Sequence, residues 1–481
     1  MSGARAVARR RALPALVYEE TYPVDPDFPQ LQVATDAGRM LELFRTHLKL
    51  VPGKRIQIQD CIPFRFRCRQ SGGRCVLQYT LRLADARTGR QWDQWVTGLL
   101  YAQPGEAERL WRELLASDLR QNIPEPWVCF EPVDFLPDLQ MLVQVFPFDR
   151  KLRQLGPVLG GALRELEPLL LAGLPPGSWQ VTHRSIVPTR YRTELGAALK
   201  LTLQAREAVS ARSAALCCYV KVFRNDHGEE TFAFLRACAN RAEAESPGFS
   251  VVRPLAYLRP WRTLALEEAS GATLQQLLVN GREPARPARA VARAVAAFNL
   301  ADPIITMRHT LVDQLADVHS AAALVQWACP ETRPAVREIA AAVSAGIEEV
   351  APSQIHRDLK PDHVFLEGDQ VRFIDCDSVA LGDPARDPAH LFAHVMGGVG
   401  LEGMPAESRR QAATAFVEEY FARVPTWWRR RFPLHCAAAL LEVAGGIFKR
   451  QEPRWRETVT AAVHEAEACL RLADSTPTAA L

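Results

Sequence analysis

Apolar residues in the first 280 positions alternate with polar ones in several short runs, and each set of runs is followed by one stretch of helical spacing. The first set holds Pro63-Phe-Arg-Phe-Arg67, the strand-like Cys75-Val-Leu-Gln-Tyr-Thr-Leu-Arg82 and Trp95-Val-Thr-Gly-Leu-Leu-Tyr101. A turn at Pro104-Gly105 then leads into a helical run from Glu106 to Leu115. The second set holds Pro188-Thr-Arg-Tyr-Arg192, Leu199-Lys-Leu-Thr-Leu-Gln204 and Cys217-Cys-Tyr-Val-Lys-Val-Phe223, and passes through Asn225 to Gly228 into a helical run from Glu229 to Cys238. Further on, Glu125-Pro-Trp127 leads into Leu139 to Val145, as Val252 to Leu255 leads into Thr263 to Glu268. One order of elements met twice, at a period of about 125 residues, predicts a duplicated unit. From Arg282 onward the period becomes helical, over Ala290–Leu300, Arg308–Ala323, Arg333–Val350 and Arg409–Arg423. One strand-rich stretch between Ser353 and Val379 interrupts it.

Composition narrows the class. With 481 residues the chain exceeds one ordinary core and predicts two or three domains. Its 48% apolar and 23% charged residues are the balance of a soluble globular protein, and a formal charge of +3 argues for neither nucleic acid nor an anionic membrane as partner. The eleven cysteines are odd in number and contain no Cys-x-x-Cys pair, which argues against zinc and a secreted disulfide scaffold and for a cytoplasmic location. Met1 to Leu13, with four arginines, reads as a disordered basic tail, since Pro14, Glu19 and Glu20 interrupt any signal-like apolar stretch. No run approaches the roughly 18 apolar residues of a bilayer span.

The chemistry concentrates in Gln354-Ile-His-Arg-Asp-Leu-Lys-Pro-Asp-His-Val-Phe-Leu366, Gln370-Val-Arg-Phe-Ile-Asp-Cys-Asp377 and Gly382-Asp-Pro-Ala-Arg-Asp387. A loop bears Asp358, a hairpin turns through Glu367-Gly368-Asp369, and the returning strand delivers Asp375. Two carboxylates on adjoining loop and strand ends can converge. Phosphoryl transfer needs that arrangement, one to orient the attacking hydroxyl and one to hold the Mg²⁺ that neutralises the phosphates.

In these residues the chain resembles the aminoglycoside phosphotransferase and choline kinase family, which has a protein-kinase-like fold. The family string His-Gly-Asp-Leu is matched by His356, Asp358 and Leu359, its Ile-Asp by Ile374-Asp375, and its Gly-Asp-Pro with a later Asp by Gly382-Asp383-Pro384 and Asp387. The resemblance implies that Asp358 is the catalytic base and Asp375 the principal metal ligand, with His356, Asp383 and Asp387 bracing the catalytic loop. Where the family has an Asn as second metal ligand this chain has His363, a softer donor than Mg²⁺ prefers; Asp377 is a further candidate. A protein kinase is excluded by length: six residues separate Asp375 from Gly382, too few for an activation segment.

A nucleotide needs a cation on its phosphates. Period-two alternation in Tyr219-Val-Lys-Val-Phe223 sets Lys221 on the face of Tyr219 and Phe223. By the resemblance, such a lysine meets the α- and β-phosphates and is held by a Glu of the next helix: Glu229, Glu230 or Glu243, with Glu230 preferred. Glu267, Glu268 and Ala269 would form the hinge that meets adenine. No Gly-x-Gly-x-x-Gly occurs; Gly196 is the one glycine of the corresponding turn, and the first unit has Leu99 where the second has Lys221.

The expectation is an α+β, bilobal protein-kinase-like fold with a mixed strand and helix small lobe, duplicated as an N-terminal cap, and a mainly helical large lobe. Residues 1–25 would be tail, 26–160 the cap, 165–278 the ATP-binding small lobe, 279–472 the catalytic and substrate lobe, and 473–481 tail. Its function would be transfer of the γ-phosphoryl group of ATP, with Mg²⁺, to a hydroxyl of a small molecule such as a sugar, aminoglycoside or amino alcohol. The rival is a pseudokinase-like module that binds nucleotide without turnover.

Overall fold

Two five-stranded antiparallel sheets of the same strand order build the N-terminal half. The structure is a computed structural model that describes residues 22–68, 73–116, 119, 123–244, 248–451 and 453–475. The first sheet contains β1 (Ile56–Cys68), β2 (Arg74–Asp85), β3 (Gln91–Tyr101), β4 (Val133–Leu136) and β5 (Met141–Val145), in the order β1-β2-β3-β5-β4, with helix α1 (Glu106–Leu115) after β3. The second contains β6 (Trp179–Arg192), β7 (Gly196–Glu207), β8 (Ser213–Phe223), β9 (Pro254–Leu258) and β10 (Thr263–Glu267), in the order β6-β7-β8-β10-β9, with helix α2 (His227–Ala244) after β8.

The likeness extends to single residues. In the β2–β3 turn the Asp85 carboxylate accepts from the main-chain N–H of Arg87 and Thr88 at 2.9 and 2.7 Å. In the β7–β8 turn Glu207 accepts from Val209 at 3.1 Å and from Ser210. Gly89 (φ 68°) and Ala211 (φ 58°) close these turns, and Gln140 (φ 47°) and Arg262 (φ 43°) precede β5 and β10 in the same left-handed conformation. Residue numbers differ by 122 in every pair (85 and 207, 89 and 211, 140 and 262).

The sheets differ in what fills the corresponding face. Leu99 lies fully buried with Val76, Ala107 and Leu142. Its counterpart Lys221 faces away from the apolar layer formed by Cys218, Val220 and Val222, as strand alternation requires.

The helical half comprises α3 (Ala285–Leu300), α4 (Leu311–Ala328), α5 (Arg333–Gly346), the hairpin of β11 (Val364–Glu367) and β12 (Gln370–Phe373), then α6 (Arg386–Met396), α7 (Ala406–Phe421), α8 (Trp428–Arg450) and α9 (Trp455–Ser475). Helix α8 is the axis of this lobe and packs on α4, α5, α6 and α9. Its buried alanines 437, 438, 439 and 444 let neighbours approach closely, and Leu440, Leu441, Ile447 and Phe448 fill the space between. Each such large side chain contributes about 1.5–3 kcal/mol. Among the described residues α8 alone is long and apolar enough to cross a bilayer, and 67% of the window that qualifies is packed inside the protein.

The first sheet docks on this lobe through Phe66, stacked 5.8 Å from Trp327 and edge-on to Phe448 at 5.4 Å. The fold is bilobal and of the α+β class, with an antiparallel small-lobe sheet and a helical large lobe.

Two expectations about the ends and the cysteines need adjustment. Residues 1–21 and 476–481 lie outside the described residues, but Asp25 is buried and α9 continues to Ser475. Cys75 is disulfide-bonded and stands opposite Cys68 in the β1–β2 register. The odd cysteine count gave no sign of this bond.

Candidate active site

A short antiparallel pairing of Ser353–Ile355 with Ala380–Gly382 sets the loop after Ile355 beside the segment that precedes Val379. Two residues there take the left-handed conformation without being glycine, Arg357 (φ 66°) and Asp375 (φ 60°). Each such turn costs about 1–3 kcal/mol and persists only when its surroundings enforce it. Asp387, wholly buried, supplies the enforcement: its carboxylate accepts from the N–H of His356 at 2.7 Å, the N–H of Arg357 at 2.9 Å and Asn299 Nδ2 at 2.9 Å. His356 turns inward, its Nε2 2.9 Å from the Ile374 carbonyl, so it ties the two loops together instead of facing the cleft. Asp383 fixes the next turn through Arg431 at 2.8 and 2.9 Å and His435 at 3.1 Å.

His435 and Arg431 overcome burial and hold the Asp383 carboxyl well below the usual carboxylate range. A carboxylate depressed in the folded state adds stability above its unfolded pKa, and loses it as pH falls through the folded value. Asp383→Asn is therefore expected to destabilise by about 3 kcal/mol at pH 7, the low end for breaking a buried pair. Chemical denaturation at pH steps checks this: the gap to wild type should narrow below about pH 4. A gap independent of pH would show that the charge of Asp383 is not what stabilises the turn.

Asp358, His363 and Asp375 offer ligand atoms within 4.8 Å of one another. The Asp358 side chain is 40% exposed yet hemmed in by protein, the situation of a group on the floor of a cleft. Burial raises its pKa, but Lys360 (3.1 Å), His363 and His390 outweigh that and leave it well below the usual range. Asp375 is likewise depressed, Lys221 prevailing over burial, whereas burial and the neighbouring Asp375 push Asp377 up.

His363 is the informative residue. Its Nδ1 lies 3.0 Å from the Asp358 carbonyl oxygen and its Nε2 3.1 Å from Asp375 Oδ2, and both oxygens can only accept. A neutral imidazole has one donor and one lone pair, so one of these contacts sets two lone pairs face to face. Burial and Lys360 push the ring down to about 4, which disfavours the imidazolium. A divalent cation bound by Nε2 and the Asp375 and Asp358 carboxylates removes the conflict, and the donor set fits one.

Lys221 enters from β8 and ion-pairs with Asp375 and with both oxygens of Asp377, 2.8 Å away. The two carboxylates outweigh its burial and raise its pKa. Here the structure corrects the expected glutamate partner. Glu230 is 61% exposed and bonds His227 at 3.0 Å, and Glu229 pairs with Arg259; the Glu243 side chain lies outside the described residues. His227 also sits 2.5 Å from the Asp377 carbonyl, so α2 reaches the Asp375 loop through a histidine. Asp377 serves Lys221 and stands outside the group of Asp358, His363 and Asp375. At the end of β10, Glu267 pairs with Arg253 (3.2 Å) and Arg372 (3.6 Å), Glu268 with Lys200 (2.6 Å), and Ala269 is half-buried beside them.

The β6–β7 turn, Thr193 to Leu195, is tied to the first sheet, which the sequence did not suggest. Thr193 and Thr97 share a hydroxyl bond of 2.7 Å, and Arg67 donates to the Thr193 carbonyl at 3.0 Å. Glu194, fully buried, pairs with Arg150 at 2.5 Å and Arg74 at 2.7 Å, while Asp149 accepts from its N–H at 2.6 Å. Gly196 follows because a Cβ there would meet the Val222 carbonyl at 2.9 Å.

No curated protein matches the chain significantly. Among solved structures it is similar to a choline/ethanolamine kinase family protein from Mesorhizobium loti (16% identity, 57% of this chain and 85% of that one, TM-score 0.38) and a choline kinase from Cryptosporidium parvum (9%, 60% and 90%, TM-score 0.40). It is also similar to an aminoglycoside-3'-phosphotransferase of type VIII (18%, 59% and 98%, TM-score 0.37). The profile of the phosphotransferase enzyme family matches residues 204–432. That span runs from the end of β7 into α8 and contains Lys221, Asp358, His363, Asp375 and the Asp383 and Asp387 braces, so over this part the chain is similar to the phosphotransferase enzyme family.

Proposed function

We propose that the protein transfers the γ-phosphoryl group of ATP to a hydroxyl of a small molecule. The observation that carries this is the convergence, in one cleft, of Lys221 from the sheet with Asp358 and Asp375 from the large lobe. Asp358 faces the cleft as an anion and orients the acceptor hydroxyl. Asp375 and His363, with Asp358, would hold Mg²⁺, which supplies positive charge against the phosphate oxygens. Lys221, already balanced by two carboxylates, presents its ammonium group to the α- and β-phosphates, and the ends of Glu267 to Ala269 offer main-chain groups to adenine. The first sheet, with Leu99 in the lysine position, takes no phosphate and acts as a cap that holds the β6–β7 turn.

His363 favours the second reading, a nucleotide-binding module without turnover, because an imidazole stands where the family pattern has an amide oxygen. ADP formation on a panel of hydroxylated metabolites separates the two. The nucleotide site itself is tested by calorimetry or thermal shift on wild type beside Lys221→Ala. At about 100-fold saturation, ATP with Mg²⁺ should add roughly 2.7 kcal/mol of stability to wild type and none to the variant. Absence of any effect on wild type with ATP or GTP would overturn the nucleotide reading.

A further inference from the structure

Six basic side chains from three separate elements meet at the mouth of the catalytic cleft. Arg65 and Arg67 project from β1 two residues apart, hence on one face, and Arg190 and Arg192 do the same on β6. Lys449 and Arg450 end α8, next to Phe448, which packs against Phe66 of β1. Arg67 touches the β6–β7 turn at the Thr193 carbonyl, and Arg190 Nη1 lies 3.6 Å from Asp375 Oδ2. The cluster therefore begins at the catalytic carboxylates and extends away from the hinge, toward the cap and the end of α8.

Around Arg65, Arg192 and Lys449 the charge is only partly compensated. The four charged neighbours that act most strongly on Arg65 are Arg190, Arg192, Arg450 and Arg67, all of its own sign; with burial they push it down to about 10. Lys449 is pushed down to about 8 by burial and by Arg192 and Arg67, against which Glu442 and Asp317 act only in part. Arg192 is exposed to water although protein surrounds it, and its attractive neighbours are the catalytic Asp358, Asp375 and Asp377. Like charges gathered in a cleft repel, and a chain that holds them together with too few carboxylates to balance them recovers part of the cost when an anion binds.

We propose that the acceptor is itself anionic, a hydroxylated small molecule bearing a phosphate or similar oxyanion that Arg65, Arg190, Arg192 and Lys449 bind beside Asp358. This rests on the phosphotransferase reading of the same cleft. In the step, the bond from the γ-phosphorus to the bridging oxygen of ADP breaks and one from that phosphorus to the acceptor hydroxyl oxygen forms. The hydroxyl proton leaves by way of Asp358 to water, and ADP departs. Arg190 and Arg192 end the strand before the β6–β7 turn and are within reach of a nucleotide; Arg65 and Lys449 belong to elements that carry neither the hinge nor Lys221. The oxyanion they bind is therefore the acceptor's.

The test titrates the full chain with inorganic phosphate, by calorimetry or thermal shift, alone and with saturating ADP and Mg²⁺. Wild type is compared with Arg65→Gln, Lys449→Gln and the charge-keeping Lys449→Arg. Phosphate should bind in both conditions, about tenfold more weakly in each glutamine variant, with Lys449→Arg close to wild type and ADP affinity unchanged throughout. Melting without ligand confirms that each variant is folded. Competition between phosphate and ADP, or glutamine variants that weaken ADP instead, would assign the cluster to the nucleotide and overturn the proposal. So would no phosphate binding by a protein that binds ADP. Failure of ADP to bind counts against the nucleotide reading alone, since the phosphate titration without nucleotide still decides whether the oxyanion site exists.

Discussion

Asp358→Asn is expected to lower turnover by about 10²–10⁴-fold while nucleotide binding measured without Mg²⁺ stays at the wild-type level. The substitution is isosteric, and the side chain it replaces is 40% exposed with one close polar partner, Lys360 at 3.1 Å, so the fold should tolerate it. What is lost is a full negative charge facing the acceptor. Lys360, His363 and His390 outweigh burial and keep that charge at any pH near neutrality, which makes Asp358 a weak base but a dependable anion. A loose transition state asks for just that: the hydroxyl is oriented early and its proton leaves late. The depressed pKa also fixes the sign of the pH dependence. Asp358 protonates only far below its ordinary range, so it should add no acid limb to the pH–rate profile between about pH 5 and 8. ADP release and nucleotide-dependent melting, measured on the same preparation, check both parts. Turnover within a fewfold of wild type would remove Asp358 from the chemistry.

The contrast between legible and illegible features follows sequence separation. The fold class was readable because strand and helix periods are local, and the small-lobe sheet and the helical lobe follow them. Asp358 and Asp375 were placed together because a hairpin of known length joins them, and β11 and β12 form that hairpin. Lys221 could be given a face by alternation, but its partner could not be named. The ion pair that holds it joins residues 154 positions apart, and Glu230 lost to Asp375 and Asp377 because its own helix turns it outward to His227. Nothing local distinguishes Asp377 as a lysine partner from Asp377 as a metal ligand. The same limit hid the basic cluster. Arg65, Arg190 and Lys449 lie on a strand of each sheet and at a helix end, and each alone reads as an ordinary solvated cation. For Glu194 and Asp149 there was a usable signal in the turn before Gly196: an acidic residue where a phosphate-binding turn would be expected to carry glycine, with Arg150 and Lys151 following Asp149.

Asp387→Ala should be the most destabilising single change in the catalytic lobe, by about 3–5 kcal/mol, and should abolish turnover although Asp387 touches neither phosphate nor acceptor. Its carboxylate is wholly buried and accepts three hydrogen bonds at 2.7, 2.9 and 2.9 Å. Two come from consecutive main-chain N–H groups, His356 and Arg357, and they hold Arg357 at φ 66° against its intrinsic preference. Truncation leaves those two main-chain donors buried without their acceptor, at about 1–3 kcal/mol each before relaxation, while Asn299 Nδ2 keeps the Gln354 carbonyl at 2.9 Å. It also releases the left-handed turn immediately before Asp358. A protein with 5–15 kcal/mol of total stability survives that loss only narrowly, so urea denaturation of Asp387→Ala should show an early midpoint. Asp387→Asn is the decisive companion. It keeps one acceptor oxygen and nearly the same volume, so it should fold better than the alanine variant and still turn over slowly, because the amide cannot accept from His356, Arg357 and Asn299 together. Wild-type turnover in Asp387→Asn would mean that the catalytic loop is held by His356 and Ile374 alone, and that the conformation of Arg357 is set from elsewhere.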